Sequence, residues 1–378
     1  MWGRFFIPVL ALFYIASQVS LAQFSIIMSI FSLSILVLEV PTGVIADLLG
    51  KKRTLIIGRS MHVIEIFLIA FFNGFWVFLI AKIISGIGVS LGSGTGSALL
   101  YDTLKKQKRE DKHKKISGSI SIVSNVSMAI VFIIGAFLFS LSPKLPAIAS
   151  LPLISLGLIL TFFLEEPYKN GKKFNMKNSF THLKEGLSYF KTSNFVKYLS
   201  FFSFFTAAAI SITLSMSSAY FKAILIPVSL IGILAFVSSM ITAFTSKKAH
   251  KWEEKLKMRK SVLYIQLFIL VSIFLMALMV HYFGFIFYLL IPFVAGFYGV
   301  TINDHINKNI VSSHRATLLS MQSFFENLGI FLLFPLVGHF ADNGSFGKSY
   351  LIFGLILFAG YILVYFYSRK KFNSGILK

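Results

Sequence analysis

The chain contains no cysteine, which excludes disulfide bonds, thiolate nucleophiles and cysteine-ligated metal sites. Acidic residues are scarce, because only 14 Asp and Glu stand against 36 Lys and Arg among 378 residues. Charged residues of both signs make up 13% of the chain, compared with about 25% in soluble domains. We therefore do not expect a water-soluble protein.

Apolar residues are abundant instead. They make up 56% of the chain, and the mean hydropathy is +0.80. No soluble core can hide this much apolar surface, so the solvent around most of the chain must be lipid. The first apolar run is too long, and continues too directly into a second, to be a cleaved signal peptide.

Several apolar segments approach the roughly 20 residues that a helix needs to cross a bilayer. We predict an all-α integral membrane protein with twelve transmembrane helices. The predicted spans are residues 5–21, 25–46, 54–72, 75–101, 116–140, 145–164, 195–219, 226–246, 261–281, 283–303, 316–339 and 347–367. Because Arg4 already falls inside the usual first span, either the chain starts late or the first helix is short and thins the bilayer locally.

The formal net charge of +22 lies in short breaks between these segments. Most Lys and Arg fall in alternate breaks, near 47–59, 105–115, 169–197, 247–260 and 308–315, and in the tail, whereas the other breaks hold only Lys144, Lys222 and Lys348. Positive loops face the cytoplasm, which predicts a multi-pass protein of the cell membrane with both termini cytoplasmic. Charge spread in this way forms no single basic face, so we expect no nucleic-acid partner.

The longest break divides the segments into six and six. We predict an N-terminal bundle over residues 1–164, a cytoplasmic linker over 165–194, a C-terminal bundle over 195–368 and a cytoplasmic tail over 369–378. Apolar residues recur at helical spacing from Phe180 to Phe190, which predicts an amphipathic helix on the inner membrane surface.

The stretch from Gly43 to Arg53 joins two membrane-length segments. A tight hairpin there needs glycine, because the backbones approach closely and turn sharply. The charged members of the stretch are Asp47, Lys51, Lys52 and Arg53, and its turn glycines are Gly43 and Gly50. The spacing G-x-x-x-D-x-x-G-K-K closely resembles the loop between helices 2 and 3 of the major facilitator superfamily of transporters. Residues Glu39–Thr42, just before it, resemble one bacterial branch of that superfamily.

The resemblance covers nearly the whole chain. It implies two six-helix halves related by an axis along the membrane normal. It also implies a cytoplasmic gate, in which Asp102 faces the loop cations and holds the inward face closed; the structural alternative is a solvated helix-end residue. Arg315 would anchor the same end, Asp47 could dock at the positive N-terminus of segment 11, and Glu39 could join this network.

Ionisable residues inside a membrane are functional candidates by default, because charge is costly there. Glu326 lies near the middle of segment 11, flanked by Gln322 and Asn327, and the resemblance implies that this segment lines the central cavity. A buried carboxyl group disfavours its charged form and could bind a cationic substrate or accept a proton. The alternative is a structural hydrogen bond to Asn125 or Arg315.

Glu65 and Lys82 each lie eight residues from the Asn73-Gly74 turn, on either side of it. An antiparallel hairpin puts them at the same depth, where pairing relieves the cost of an isolated charge. We expect an intramembrane ion pair, with a structural role favoured over a coupling role. His62, on the same face as Glu65, is expected to be packed and neutral.

The sequence contains no resemblance to a nucleotide-binding loop, a metal site or a nucleophile elbow, so we predict no enzymatic activity, cofactor or metal. We predict a monomeric secondary active transporter that moves a small organic solute by alternating access, with proton-coupled efflux as the leading mode. Segment 5 lacks the proline-containing motif of the superfamily's drug antiporters, which disfavours that branch. Proton-coupled metabolite uptake, or a transporter-like sensor or scaffold that moves nothing, remains an alternative.

The charge asymmetry makes a topology prediction. A reporter fused after Leu141 should report the periplasm, and one fused after Asn175 should report the cytoplasm, because the breaks near these residues differ in positive charge. Paired fusions of alkaline phosphatase and a fluorescent protein would measure this, and reversed signals would overturn the topology.

Overall fold

The computed structural model describes residues 3–167, 190, 193–309 and 315–371. Thirteen α-helices and no strand occur in these ranges. A 3-10 turn at Ile7–Val9 precedes the first helix. The helices are α1 (Leu10–Ala16), α2 (Leu21–Leu49), α3 (Lys51–Phe71), α4 (Phe75–Gly92), α5 (Thr95–Lys106), α6 (His113–Leu141), α7 (Leu145–Phe162), α8 (Asn194–Ala223), α9 (Val228–Leu278), α10 (Gly284–Tyr288), α11 (Leu290–Asn309), α12 (Arg315–Asp342) and α13 (Phe346–Lys371).

The all-α membrane fold predicted from the sequence is confirmed. Among the described residues, 11 helical spans are long and apolar enough to cross a membrane, and a shorter apolar helix covers Ile7–Ala16. The first helix is therefore short, as one of the two expectations for it states. The amphipathic helix predicted for the linker falls almost entirely outside the described residues.

The fourth predicted span, 75–101, is not one continuous helix. It breaks after Gly92, and α5 begins at Thr95. Between them Gly94 adopts φ +69°, a left-handed conformation that glycine takes without steric cost. The sequence interpretation gave weight to hydropathy, and the glycines of this stretch decide the local backbone.

Helix α9 runs without interruption for 51 residues. A straight helix of that length would measure about 77 Å, well beyond a hydrocarbon core of about 30 Å. Thr242 Oγ1 donates to Pro292 O (3.0 Å) and Ser246 Oγ donates to Gly296 O (3.1 Å). The residue numbers rise together, so this arm of α9 runs parallel to α11.

The second arm of α9 runs in the opposite direction. The rings of Phe268 and Phe293 lie 5.8 Å apart, and Ser272 Oγ donates to Phe287 O at 2.8 Å. Along this arm residue numbers on α9 rise while those on α11 fall, so the arm runs antiparallel to α11. The chain therefore reverses between residues 246 and 268 while remaining helical. The two arms correspond to the eighth and ninth predicted spans.

Helices α2 and α12 pack against each other along much of their length. Three hydrogen bonds join them: Leu21 N to Asp342 Oδ1 (3.3 Å), Ser29 Oγ to Phe331 O, and Ser323 Oγ to Glu39 Oε2 (2.9 Å). Residue numbers rise on α2 as they fall on α12, so the contact is antiparallel. It extends from Leu21 to Glu39 on α2, over 19 residues or about 27 Å.

Small residues allow this close approach. A Cβ atom added to Gly338 would overlap Ser25 Oγ and lie 2.7 Å from Leu21 O. One turn away, the rings of Phe24 and Phe334 meet edge to face, with centroids 5.8 Å apart. Glycine and serine at a helix contact in lipid allow dispersion contacts between backbones, which is how such helices associate.

Lys144, in the connection between α6 and α7, returns to the end of α3. Its Nζ donates to Ile69 O (2.9 Å) and Phe72 O (2.7 Å), at a helix terminus that leaves carbonyls without helical partners. The rings of Phe13 and Phe78 each lie 5.5 Å from the same nitrogen. Burial lowers the pKa of Lys144 to about 8, so it stays mainly protonated at neutral pH.

The α2–α12 contact makes a stability prediction. Gly338→Leu should destabilise the protein by about 1–3 kcal/mol, because the new side chain overpacks the contact with Ser25. Unfolding in detergent micelles would measure it. Gly157→Leu is the matched control, since nothing lies within 4 Å of a Cβ there. Equal losses in the two variants would contradict a tight contact at Gly338.

Candidate functional site

Glu326 lies near the middle of α12, and both of its described donors reach the same oxygen. Tyr298 of α11 donates its hydroxyl to Glu326 Oε1 at 2.7 Å, and Gln322 Nε2 donates to that atom at 2.8 Å. Gln322 precedes Glu326 by four residues, a spacing that puts two side chains on one helix face. Among the described residues, no Lys or Arg forms an ion pair with Glu326, so its carboxyl group is held by neutral donors alone.

The other predicted cavity residues fall in different places. Asn327 Nδ2 donates to Ser323 O at 2.9 Å and so bonds within its own helix. Asn125 is exposed on α6, and the donors to Glu326 come from α11 and α12 instead. The side chain of Arg315 lies outside the described residues. Gln322 Oε1 is buried without a partner in the described part of the chain.

Glu39 forms a contact that the sequence analysis did not anticipate. The sequence suggested that it joins the cytoplasmic network of Asp47, but its Oε2 accepts a hydrogen bond from Ser323 Oγ on α12. Ser323 follows Gln322 directly and precedes Glu326 by three residues. The carboxyl group of Glu39 on α2 therefore contacts α12 one turn away from Glu326.

A second group of ionisable residues is buried among the first helices. Glu65 is fully buried and accepts from Lys82 Nζ at 3.0 Å, so the structure brings together the two residues that the turn spacing predicts. Arg4 also forks onto Glu65, with its Nη1 at 3.3 Å and its Nη2 at 2.5 Å from the carboxylate oxygens. The same Nη2 lies 2.8 Å from Nδ1 of buried His62.

Sequence reasoning missed the role of Arg4. The sequence shows it only as a charge inside the usual first span, and the turn spacing pairs Glu65 with Lys82 alone. The signal was present, because an Arg within an apolar segment pairs with another ionisable residue or with backbone carbonyls. Two cations on one carboxylate join the N-terminal segment to α3 and α4, so the contact is more than a hairpin pair.

The cytoplasmic gate motif is partly described. Lys51 Nζ forms an ion pair with Asp102 Oδ2, which joins the start of α3 to α5. Lys52 is half-buried and Arg53 is exposed. Gly43 lies within α2 and not in the turn, whereas the side chains of Asp47 and Arg315 fall outside what the structure describes. The two described partners are thus in place, and the remainder of the motif stays a prediction.

Glu166 is a further member of this region that the sequence analysis did not select. Its carboxylate accepts from the backbone N–H of Lys51 (3.2 Å) and of Lys52 (2.7 Å), so it caps the N-terminus of α3. An anion is favourable there because the helix dipole is positive at that end. Gly50 adopts φ +87°, a backbone conformation that favours glycine, and a Cβ there would crowd Glu166 Oε2 at 3.1 Å.

The buried junction makes a prediction about stability. Glu65→Gln should cost about 3–5 kcal/mol, because Arg4 and Lys82 are then left as buried cations without a carboxylate. Lys82→Met should cost less, since Arg4 still pairs with Glu65. The double variant should cost less than the two single losses added together.

Unfolding of purified protein in detergent micelles would measure all three variants, with Lys222→Met at an exposed position as the control. Equal and strictly additive losses for Glu65→Gln and Lys82→Met would contradict the shared junction.

Comparison with known proteins places these features in a family. The family model described as Major Facilitator Superfamily matches residues 1–314. A curated relative, "Uncharacterized transporter BU466" of Buchnera aphidicola subsp. Acyrthosiphon pisum (strain APS), is 26% identical over 183 residues. That match spans 47% of this chain and 43% of the relative, less than half the length of either.

Solved structures share the fold over nearly the whole chain. The nucleoside transporter NupG superposes with a TM-score of 0.77 at 16% identity, covering 97% of this chain and 95% of that one. A D-xylose-proton symporter gives a TM-score of 0.76 at 12% identity, with coverage of 97% and 94%. At such identities these likenesses show the fold alone. Because the family match takes in most of the 378 residues, the chain belongs to the Major Facilitator Superfamily, a group of membrane transporters rather than enzymes.

Proposed function

We propose that this protein is a secondary transporter that moves a small organic solute across the cytoplasmic membrane by alternating access, with proton coupling through Glu326. The observation that carries the proposal is a carboxyl group in mid-helix whose described hydrogen bonds come only from Tyr298 and Gln322. A carboxyl group without a cation partner in a membrane is least costly when neutral. It can bind a proton on one side and release it on the other when its surroundings change.

Alternating access requires the two predicted halves to rock, which separates and re-forms contacts between them. The α2–α12 contact is such an element, and the bond between Glu39 and Ser323 crosses it three residues from Glu326. Loss of this bond would hydrate Glu39 and alter the neighbourhood of Glu326 together. The two carboxyl groups would then respond to the same movement.

The ion pair of Lys51 with Asp102 fits a cytoplasmic latch that is made in one state and broken in another. The Glu166 cap ties the start of α3 to the segment after α7. These contacts support a gate on the side that the charge pattern assigns to both termini. A monomer is the proposed working unit.

Efflux is the leading direction, and uptake is the second candidate. The observation that favours uptake is the fold shared with a protein named as a D-xylose-proton symporter. Reconstituted protein in liposomes loaded with a pH-sensitive dye separates the two, since efflux and uptake carriers move protons in opposite directions relative to the solute. Uridine, D-xylose and ethidium are suitable first solutes, and absence of flux with every member of a wider solute panel would favour a sensor or scaffold.

Substitution of Glu326 tests the coupling. Glu326→Gln keeps the size of the side chain but cannot titrate, so the variant should fold and exchange solute across the bilayer while losing accumulation driven by a pH gradient. Dye-reported proton flux should fall by at least tenfold, with exposed Glu254→Gln as the control. Unchanged gradient-driven transport in Glu326→Gln would end the coupling role of this residue.

A further inference from the structure

A basic surface covers the reversal of α9 on the side that the charge pattern assigns to the cytoplasm. Residues 247–260 contain seven Lys or Arg and two Glu. The exposed cations are Lys247, Lys251, Lys255, Arg259 and Lys260, which we call the α9 basic surface. Of the two acids, Glu253 is buried and Glu254 is exposed 3.4 Å from His250, so a single exposed carboxylate stands among five exposed cations.

The α9 basic surface is held on a packed support. On the opposite side of the same helix Ala249 and Met258 are buried. Trp252 stacks on Phe293 of α11 with ring centroids 5.7 Å apart and meets Phe297 at 6.3 Å. The cations therefore sit on a fixed helical face and not on a loose loop.

The spacing of the lysines is more unfavourable for the helix than the membrane topology alone would demand. Lys247, Lys251 and Lys255 follow one another at four-residue spacing, so each is a helical neighbour of the next. Like charges at that spacing destabilise a helix by about 0.2–0.5 kcal/mol per pair. Orientation in the membrane depends on the number of positive charges in a loop and needs no such alignment. Neighbouring exposed cations at a membrane surface repel one another, and bound anions relieve that repulsion.

We propose that the α9 basic surface binds the phosphodiester headgroups of anionic phospholipids in the inner leaflet. The ends of two membrane-spanning arms meet at this surface, so the headgroup layer is the anion source within reach. Lipid bound here bridges the two arms and neutralises the repulsion among the lysines. The contact stabilises the reversal of α9 and is separate from the Glu326 region, so it holds whether or not the protein couples transport to protons.

The thermal stability of the purified full-length protein in dodecyl maltoside tests the proposal. Phosphatidylglycerol should raise the melting temperature in a saturable manner, whereas phosphatidylcholine with the same acyl chains should not. The shift should shrink when NaCl rises from about 0.05 to about 0.5 M, because salt screens exposed charges. Inorganic phosphate at the same concentration should give no shift, which separates a headgroup site from a free-phosphate site. Equal shifts with the two lipids, or a shift with phosphate alone, would overturn the proposal.

Charge-removing variants locate the site. Each Lys at an anionic surface contributes about 1 kcal/mol, close to fivefold in affinity, so Lys247→Gln with Lys251→Gln and Lys255→Gln should weaken the phosphatidylglycerol response about 100-fold. The matched control removes Lys105, Lys106 and Lys108, which are also exposed and on the same predicted side. Replacing the three α9 lysines by Arg should retain the response, and this comparison remains informative if the Gln variant folds poorly. Equal losses in the α9 and control triples, or loss in the Arg variant, would contradict a site on α9.

Discussion

Lipid offers no partner to a charge, so each ionisable group inside the described spans must be satisfied by the protein itself. Two solutions occur. Around Glu65, two cations converge on one carboxylate and fasten the chain near Arg4 to α3 and α4. Around Glu326, the described donors are the neutral groups of Tyr298 and Gln322. The same constraint is therefore met by ion pairing in one place and by neutral hydrogen-bond donors in the other.

The packing of α2 against α12 positions residues near the second of these sites. Backbone contact at Gly338 sets the register of α2 on α12, and this register carries Glu39 to Ser323. Because one antiparallel contact runs through both positions, a movement at one end must shift the other. The carboxyl group of Glu39 is thus held by the same helix contact that packs Gly338 against Ser25.

Sequence reasoning was most successful where one physical rule dominates. Hydropathy alone predicts the all-α membrane fold, and equal spacing from the Asn73-Gly74 turn brings Glu65 to Lys82. Sequence reasoning failed for contacts between residues that are far apart in the chain. Nothing local assigns Arg4 to Glu65, Glu166 to the start of α3, or Ser323 to Glu39, because each contact joins residues far apart in the chain. The break at Gly94 was missed because hydropathy does not record backbone conformation.

That break has a mechanical consequence. Helix α4 is bound to α3 through Lys82, and α5 is bound to the start of α3 through Asp102. If α4 and α5 were one continuous rigid helix, these two attachments would move together. The left-handed residue at Gly94 ends α4 before α5 begins, so the axis of α4 does not dictate the direction of α5. A displacement of α5 would therefore have to separate the half-buried Lys51–Asp102 ion pair and the packing of Leu99 and Leu104, but need not disturb the buried junction at Glu65.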